Sequence, residues 1–200
     1  MGGKNRTILC YLFLSTFSLF AQNCEQIVVR PAVIDELPVI LALDREISFE
    51  YFKPIFLQYP DRSIGKHCDY ILEEELIYDE ETFAKATSNQ QLYVASTEYS
   101  IVGFVNFHRN NASIIIDLLC VDKKHRGKGI GKQLVNRIFQ VPNIISYRLA
   151  IIEKNENACA FWKSLGFKLL DKKPSDVGND FPADCADIYR YYEYHTTEKI

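Results

Sequence analysis

The passage from Ser113 to Ile152 constrains the fold more than any other part of the chain. An apolar run, Ser113 to Val121, gives way to a glycine-rich basic segment, then to an amphipathic repeat, then to a second apolar run from Tyr147 to Ile152. In the repeat, Ile130, Leu134, Val135, Ile138 and Phe139 fall on one face at helical spacing. Strand, helix and strand in this order form a crossover unit. Upstream, Leu92 to Ser96, Ile101 to His108 and Ser113 to Val121 are three short runs rich in Val, Ile, Phe and Tyr, separated by turn residues at Glu98 to Ser100 and Arg109 to Asn111. Those runs predict an antiparallel meander. Meander and crossover together make an α/β chain of the α+β type, with a mixed, mostly antiparallel sheet flanked by helices.

The flanking segments extend this outline. Gln26 to Arg30 is a strand candidate, Pro31 with Asp35 and Glu36 marks the entry to a helix, and Val39, Ile40, Leu43 and Ile47 recur at helical spacing. The aromatic stretch from Phe49 to Tyr59, broken by Pro54 and Pro60, reads as a lid-like loop or short helix. Acidic residues crowd positions 73 to 81, which suits a solvated helix face. Downstream, a helix from about Asn157 to Leu165 stops at Gly166, Phe167 to Leu170 is a further strand candidate, and the tyrosine-dense run Ile188 to His195 closes the sheet.

Two hundred residues, 48% of them hydrophobic, suffice for one well-buried domain and not for two ordinary ones. A net charge of -3 offers no overall electrostatic attraction to nucleic acid or to an anionic membrane. At the N-terminus, Lys4 and Arg6 precede the apolar run Ile8 to Phe20 and then Ala21, the layout of a secretory leader over residues 1 to 21. This predicts export or membrane association, or a cytoplasmic protein if the leader does not operate. Cysteines 24, 68, 120, 159 and 185 have wide, irregular spacing, which predicts neither a disulfide framework nor a zinc site. Cys120 and Cys159 read as small buried apolar residues. His108 and His125 have no partner at metal spacing and read as loop or surface residues, so no metal is expected.

The junction from Val121 to Lys132 carries the chemistry. Glycines allow a tight turn and close backbone approach to an anion, and the first turn of the following helix offers unpaired N-H groups and the positive end of its dipole. Lys124, Arg126 and Lys128 add charge-assisted contacts. The dinucleotide fingerprint fails on spacing, because Lys132 or Leu134 stands where its last glycine belongs. A P-loop ending in Gly131-Lys132 fails too, with Arg126 and Gln133 at its required Gly and Ser/Thr positions. The basic patch lacks interleaved aromatics, so no nucleic-acid partner is expected.

Arg126-x-x-Gly129-x-Gly131, preceded by Ile116 to Val121, resembles the pyrophosphate loop of the GNAT superfamily of acetyltransferases. Asn155-Glu156-Asn157-Ala158-Cys159-Ala160-Phe161-Trp162 to Gly166-Phe167 is similar to that family's Asn-x-x-Ala-x-x-Phe-Tyr-x-x-x-Gly-Phe. Arg30-Pro31-Ala32 with Asp35 to Pro38 also looks like its opening. The resemblance spans roughly residues 27 to 194 and implies one acyl-CoA N-acyltransferase domain. It implies acetyl-CoA as co-substrate, no metal, and a small-molecule or protein amine as acceptor; oligomeric state is left open. By position, Leu119, Cys120 and Val121 would pair their backbone with the pantetheine arm. Arg126, Gly127, Lys128, Gly129, Ile130 and Gly131 would hold the pyrophosphate. Asn155 would contact the cofactor near the thioester end, with Ala158 and Phe161 packed beside it.

Two positions bear on catalysis. Acylation of an amine by a thioester needs a proton acceptor, and the leaving thiolate benefits from a donor. Asp117, two residues before Leu119 and hence expected on the same sheet face, stands where the family often carries an acidic residue; otherwise it is a strand carboxylate that is solvated or bonded to a neighbour. Trp162 occupies the place of the family's acidic tyrosine, and its indole N-H does not release a proton in this chemistry. Water, Cys159, Tyr189, Tyr191 or Tyr192 remain as donors, or no acid is needed, or the domain binds acyl-CoA without turnover.

Overall fold

The computed structural model describes residues 25–56, 80–171 and 189–196. The leader and the acidic positions 73 to 79 lie outside these residues. Strand β1 (Val28–Pro31) leads through a 3-10 turn (Ile34–Glu36) into helix α1 (Leu37–Phe56). Helix α2 (Glu80–Ser88) precedes β2 (Leu92–Ser96), β3 (Ile101–Asn110) and β4 (Ser113–Val121). A 3-10 turn (Lys123–His125) opens the loop to helix α3 (Ile130–Ile138), followed by β5 (Ser146–Ile152), helix α4 (Glu156–Ser164), β6 (Lys168–Leu169) and β7 (Tyr189–His195).

The strands form one sheet in the order β1-β2-β3-β4-β5-β7-β6. Every neighbouring pair is antiparallel except β4 and β5, which the α3 crossover makes parallel. The expected α+β architecture is therefore the one observed. Of the two readings of Phe49 to Tyr59, loop or short helix, residues 49–56 are helical but belong to α1, which runs on through Pro54, and positions 57 to 59 lie outside the described residues. Proline near a helix end removes one N-H bond and kinks rather than forbids the last turn, so the break read at Pro54 lies after it.

Two layers of core lie on opposite sheet faces. On one, Ile114, Ile116, Val105 and Phe107 pack with Ile130, Leu134, Val135 and Ile138 of α3, and with Leu149, Ile151 and Tyr192. On the other, Ile40 and Ile47 of α1 and Phe83 of α2 pack on Val94, Phe104 and Cys120. Glu80 and Glu81, the described end of the acidic run, sit in the first turn of α2, where carboxylates favour the helix dipole.

Candidate active site

The parallel pairing of β4 with β5 covers only Ser113↔Ser146, Ile114↔Tyr147 and Ile115↔Arg148. Past Ile115 the strands share no further rung: β4 continues to Val121 paired with β3, and β5 continues to Ile152 paired with β7. The sheet thus opens as a fork. The backbone of Leu119, Cys120 and Val121 runs along one prong, and Leu149 to Ile152 along the other.

At the end of the β4 prong the basic loop is held by its own side chains. Asp122 accepts from the Lys124 N-H at 3.2 Å and lies 2.6 Å from His125 Nδ1. Burial pushes the Asp122 carboxyl up, but the hydrogen bonds from His125 and Lys124 and their charges prevail and hold it below the usual carboxylate range. Arg126 Nε donates to the Val121 carbonyl at 2.9 Å, tying the guanidinium to the strand end. Gly127 and Gly129 adopt φ of +75° and +80°, left-handed values that side chains resist. A Cβ at either would meet nothing within 4 Å, so open space lies above both. Lys128 is exposed beside them and Ile130 is buried beneath as the first residue of α3. Glycines over open space, exposed Arg126 and Lys128, and a helix start fit a phosphate group.

Gly131 links this loop to the second motif, since a Cβ there would lie 3.2 Å from Phe161 Cζ and 3.7 Å from Leu119 Cδ2. The structure therefore brings Leu119, Gly131 and Phe161 together. Ala158 packs against the same core, and Asn155 caps α4 by accepting the Ala158 N-H at 3.0 Å. Cys120 is buried on the α1 face, where desolvation first, and then Asp44, push its thiol well up. It contributes backbone to the prong, and its thiol stays protonated.

Trp162 is 5% exposed and stands edge-on to Phe161 and Phe167, with ring centroids 5.1 and 5.0 Å away. It is a packing residue of the α3 face. Of the alternative donors, Tyr192 is buried and pushed up to about 12 by desolvation and by its hydrogen bond with Cys159. The Tyr191 hydroxyl is buried without a hydrogen-bond partner.

Asp117 departs from the expected face. The register of β3 against β4 shifts between Asn106↔Leu118 and Phe107↔Ile116, leaving Asp117 as the extra residue of a bulge. Strict alternation fails there. Leu119 packs with α3, whereas Asp117 meets His108 on the opposite face, its carboxylate oxygens 2.9 and 3.0 Å from His108 Nδ1. His108 is the residue that sequence reasoning passed over as a lone histidine. The turn at Asn111-Ala112, which pairs Asn110 with Ser113, carries the signal: folding the hairpin there sets His108 across from Ile115, diagonal to Asp117.

Residues 88–169 match the acetyltransferase (GNAT) domain. Among solved structures, the chain is similar to the PaiA N-acetyltransferase of Thermoplasma acidophilum in complex with coenzyme A, at 17% identity and a TM-score of 0.64, covering 86% of this chain and 99% of that one. It is also similar to an Arabidopsis thaliana protein in complex with the bisubstrate analogue CoA-Ac-MVNAL, at 16% identity and a TM-score of 0.57, covering 85% and 99%. An uncharacterized Mycobacterium leprae protein is 26% identical over 99 residues, 48% of this chain and 26% of that protein, so the chain spans about a quarter of that curated relative. The fold is that of the GNAT acetyltransferases, and the segment holding the meander, loop and α4 is the part that matches their domain.

Proposed function

We propose that the protein transfers an acetyl group from acetyl-CoA to a primary amine, by direct attack of the amine in a ternary complex. The observation that carries this reading is the fork between β4 and β5, ending at the glycine-rich loop. A strand edge without a partner binds an extended amide-containing chain by adding hydrogen bonds, which suits a pantetheine arm. Leu119, Cys120 and Val121 offer that edge. Arg126, Lys128 and the N-H groups from Gly129 to Gly131 hold the pyrophosphate. Acetyl-CoA supplies the activated acyl group; the protein positions it, keeps the amine neutral and excludes water.

The acceptor enters on the face that carries Asp117. A peptide or a small amine both suit this reading, and the relative solved with CoA-Ac-MVNAL favours including peptides among the acceptors tried. A calorimetric titration with acetyl-CoA, followed by thiol release over a panel of amines, tests the proposal. Binding with turnover supports it. Binding with no turnover on any amine supports instead a degenerate acyl-CoA-binding domain, for which the buried indole of Trp162 at the tyrosine position is the argument. The leader places the domain in export or at a membrane in this proposal, and N-terminal sequencing of the cell-derived protein checks it.

A further inference from the structure

The bulge in β4 puts a histidine and a carboxylate in contact at the point where the sheet opens. His108 pairs with Ile115, and Ile115 is the last residue of β4 that pairs with β5. Asp117 follows it by two residues on the free prong. Both lie on the face away from α3, with side chains 41% and 17% exposed, so the imidazole is partly reached by solvent while the carboxylate is mostly covered. An ionised carboxylate only accepts hydrogen bonds, so a contact of 2.9 and 3.0 Å to one ring nitrogen makes Nδ1 the donor. The lone pair of the neutral ring then lies on Nε2.

We infer that His108 is the proton acceptor for the attacking amine, and that Asp117 is a positioning residue that fixes the imidazole and its tautomer. This rests on the acetyltransferase reading and deepens it. The amine nitrogen forms a bond to the thioester carbonyl carbon, the carbon-sulfur bond breaks, and the thiolate leaves. The proton lost by the amine goes to His108 Nε2 and from there to solvent. A histidine suits this better than the carboxylate alone, because its unperturbed pKa lies closer to neutral pH than that of Asp.

The surroundings favour the same face. Ala150, a small residue on β5, pairs with Tyr191, and both cluster with Ile115. The Tyr191 hydroxyl and Asn106 Oδ1, 6% and 3% exposed by residue, are buried and unpartnered. Groups of this kind are costly unless a ligand satisfies them. The ionisable and charged groups on this face among the described residues include Asp117 and Cys120 on β4, Arg148 on β5, Lys168 on β6, Tyr189, Tyr191, Glu193 and His195 on β7, Arg30 on β1 and Asp44 on α1. Arg148 and Glu193, two and three strands from His108 in the same row, are paired with each other at 2.5 Å.

The test combines kinetics with a readout that needs no turnover. In the full chain labelled with ¹⁵N-histidine, NMR should find His108 as the Nδ1-H tautomer, and Asp117→Ala should abolish that preference. With acetyl-CoA and the best acceptor among a free-N-terminus peptide, a lysine peptide and spermidine, His108→Gln should lower kcat about 10²-fold or more at pH 7. Its acetyl-CoA dissociation constant should stay within about twofold. The loss should shrink at high pH, where the amine is already neutral, and Asp117→Ala should move the acid-side limb of the wild-type profile to lower pH. A structural role would leave that limb in place. An Nε2-H tautomer, or a His108→Gln variant with the wild-type rate and limb, overturns the inference while leaving acetyl transfer intact. If the wild type binds acetyl-CoA yet acetylates none of the amines, the transfer reading falls and the inference with it.

Discussion

Replacing Gly129 by alanine separates what the glycine does for the fold from what it does for the ligand. At φ +80° and ψ 7° it caps α3 in the left-handed region, and an added Cβ would meet no atom within 4 Å. The whole cost in the free protein is therefore conformational, about 1–2 kcal/mol for a residue with a Cβ in that region. For a chain of this size that lowers Tm by about 2–8 °C. The empty space over Gly129 is also where a phosphate must approach, so the methyl should raise the dissociation constant for acetyl-CoA about tenfold, or about 1.4 kcal/mol. Gly127→Ala, at φ +75° with the same open space, is the companion variant and should show a similar fall in Tm. Differential scanning fluorimetry gives the first quantity and calorimetric titration the second. A Gly129→Ala protein with lowered Tm and unchanged affinity refutes the phosphate assignment and leaves only a turn; an unchanged Tm refutes the conformational argument itself.

Arg126→Ala should weaken acetyl-CoA binding by about 1.5 kcal/mol or more and flatten its salt dependence, both read by titration at two ionic strengths, because the Arg126 guanidinium tied to Val121 loses a charge-assisted contact. Trp162→Ala should cost about 3–5 kcal/mol of stability by emptying the space between Phe161 and Phe167, whereas Trp162→Phe should cost less and keep most of the turnover number. Stability should also fall between pH 10 and 12. Burial and then Tyr194 push Tyr147 up to about 12, so the folded protein keeps a proton that the unfolded chain releases above its ordinary value of 10. The contribution is complete below pH 10 and fades as pH rises towards 12, and Tyr147→Phe should flatten the curve of Tm against pH in that window. A Tm independent of pH up to 12 contradicts this.

Element types and order were legible because the apolar periods are clean: β2, β3 and β4 came from runs of branched and aromatic residues, and α3 from five apolar positions on one face. The loop was legible for a different reason, since glycine and basic residues at fixed spacing have few other uses. Asp117 marks where that reading ended. Period-two alternation assigns a side chain to a face only while the register holds, and nothing in Ile116-Asp117-Leu118-Leu119 announces a bulge, as every neighbour is apolar. Hence the carboxylate was expected beside Leu119 and is found with His108. The reach of α1 was underestimated at Pro54, because a proline signal says that a helix weakens, not on which turn it stops.

The fork also changes how the molecule bears load. Its two parts, β1 to β4 and β5 to β7, are laced along their backbones by three residue pairs and by the Ser113–Ser146 hydroxyl contact of 2.8 Å at the closed end. On the α3 face one continuous core spans both parts, while on the other face the described residues pack in two clusters, one under α1 and a small one around Ile115 and Tyr191. Such a body resembles a book with its spine along α3. A long ligand lying between the open pages would supply the missing lacing as an additional strand does, so its concentration would govern how stiff the sheet is as well as whether a reaction can occur.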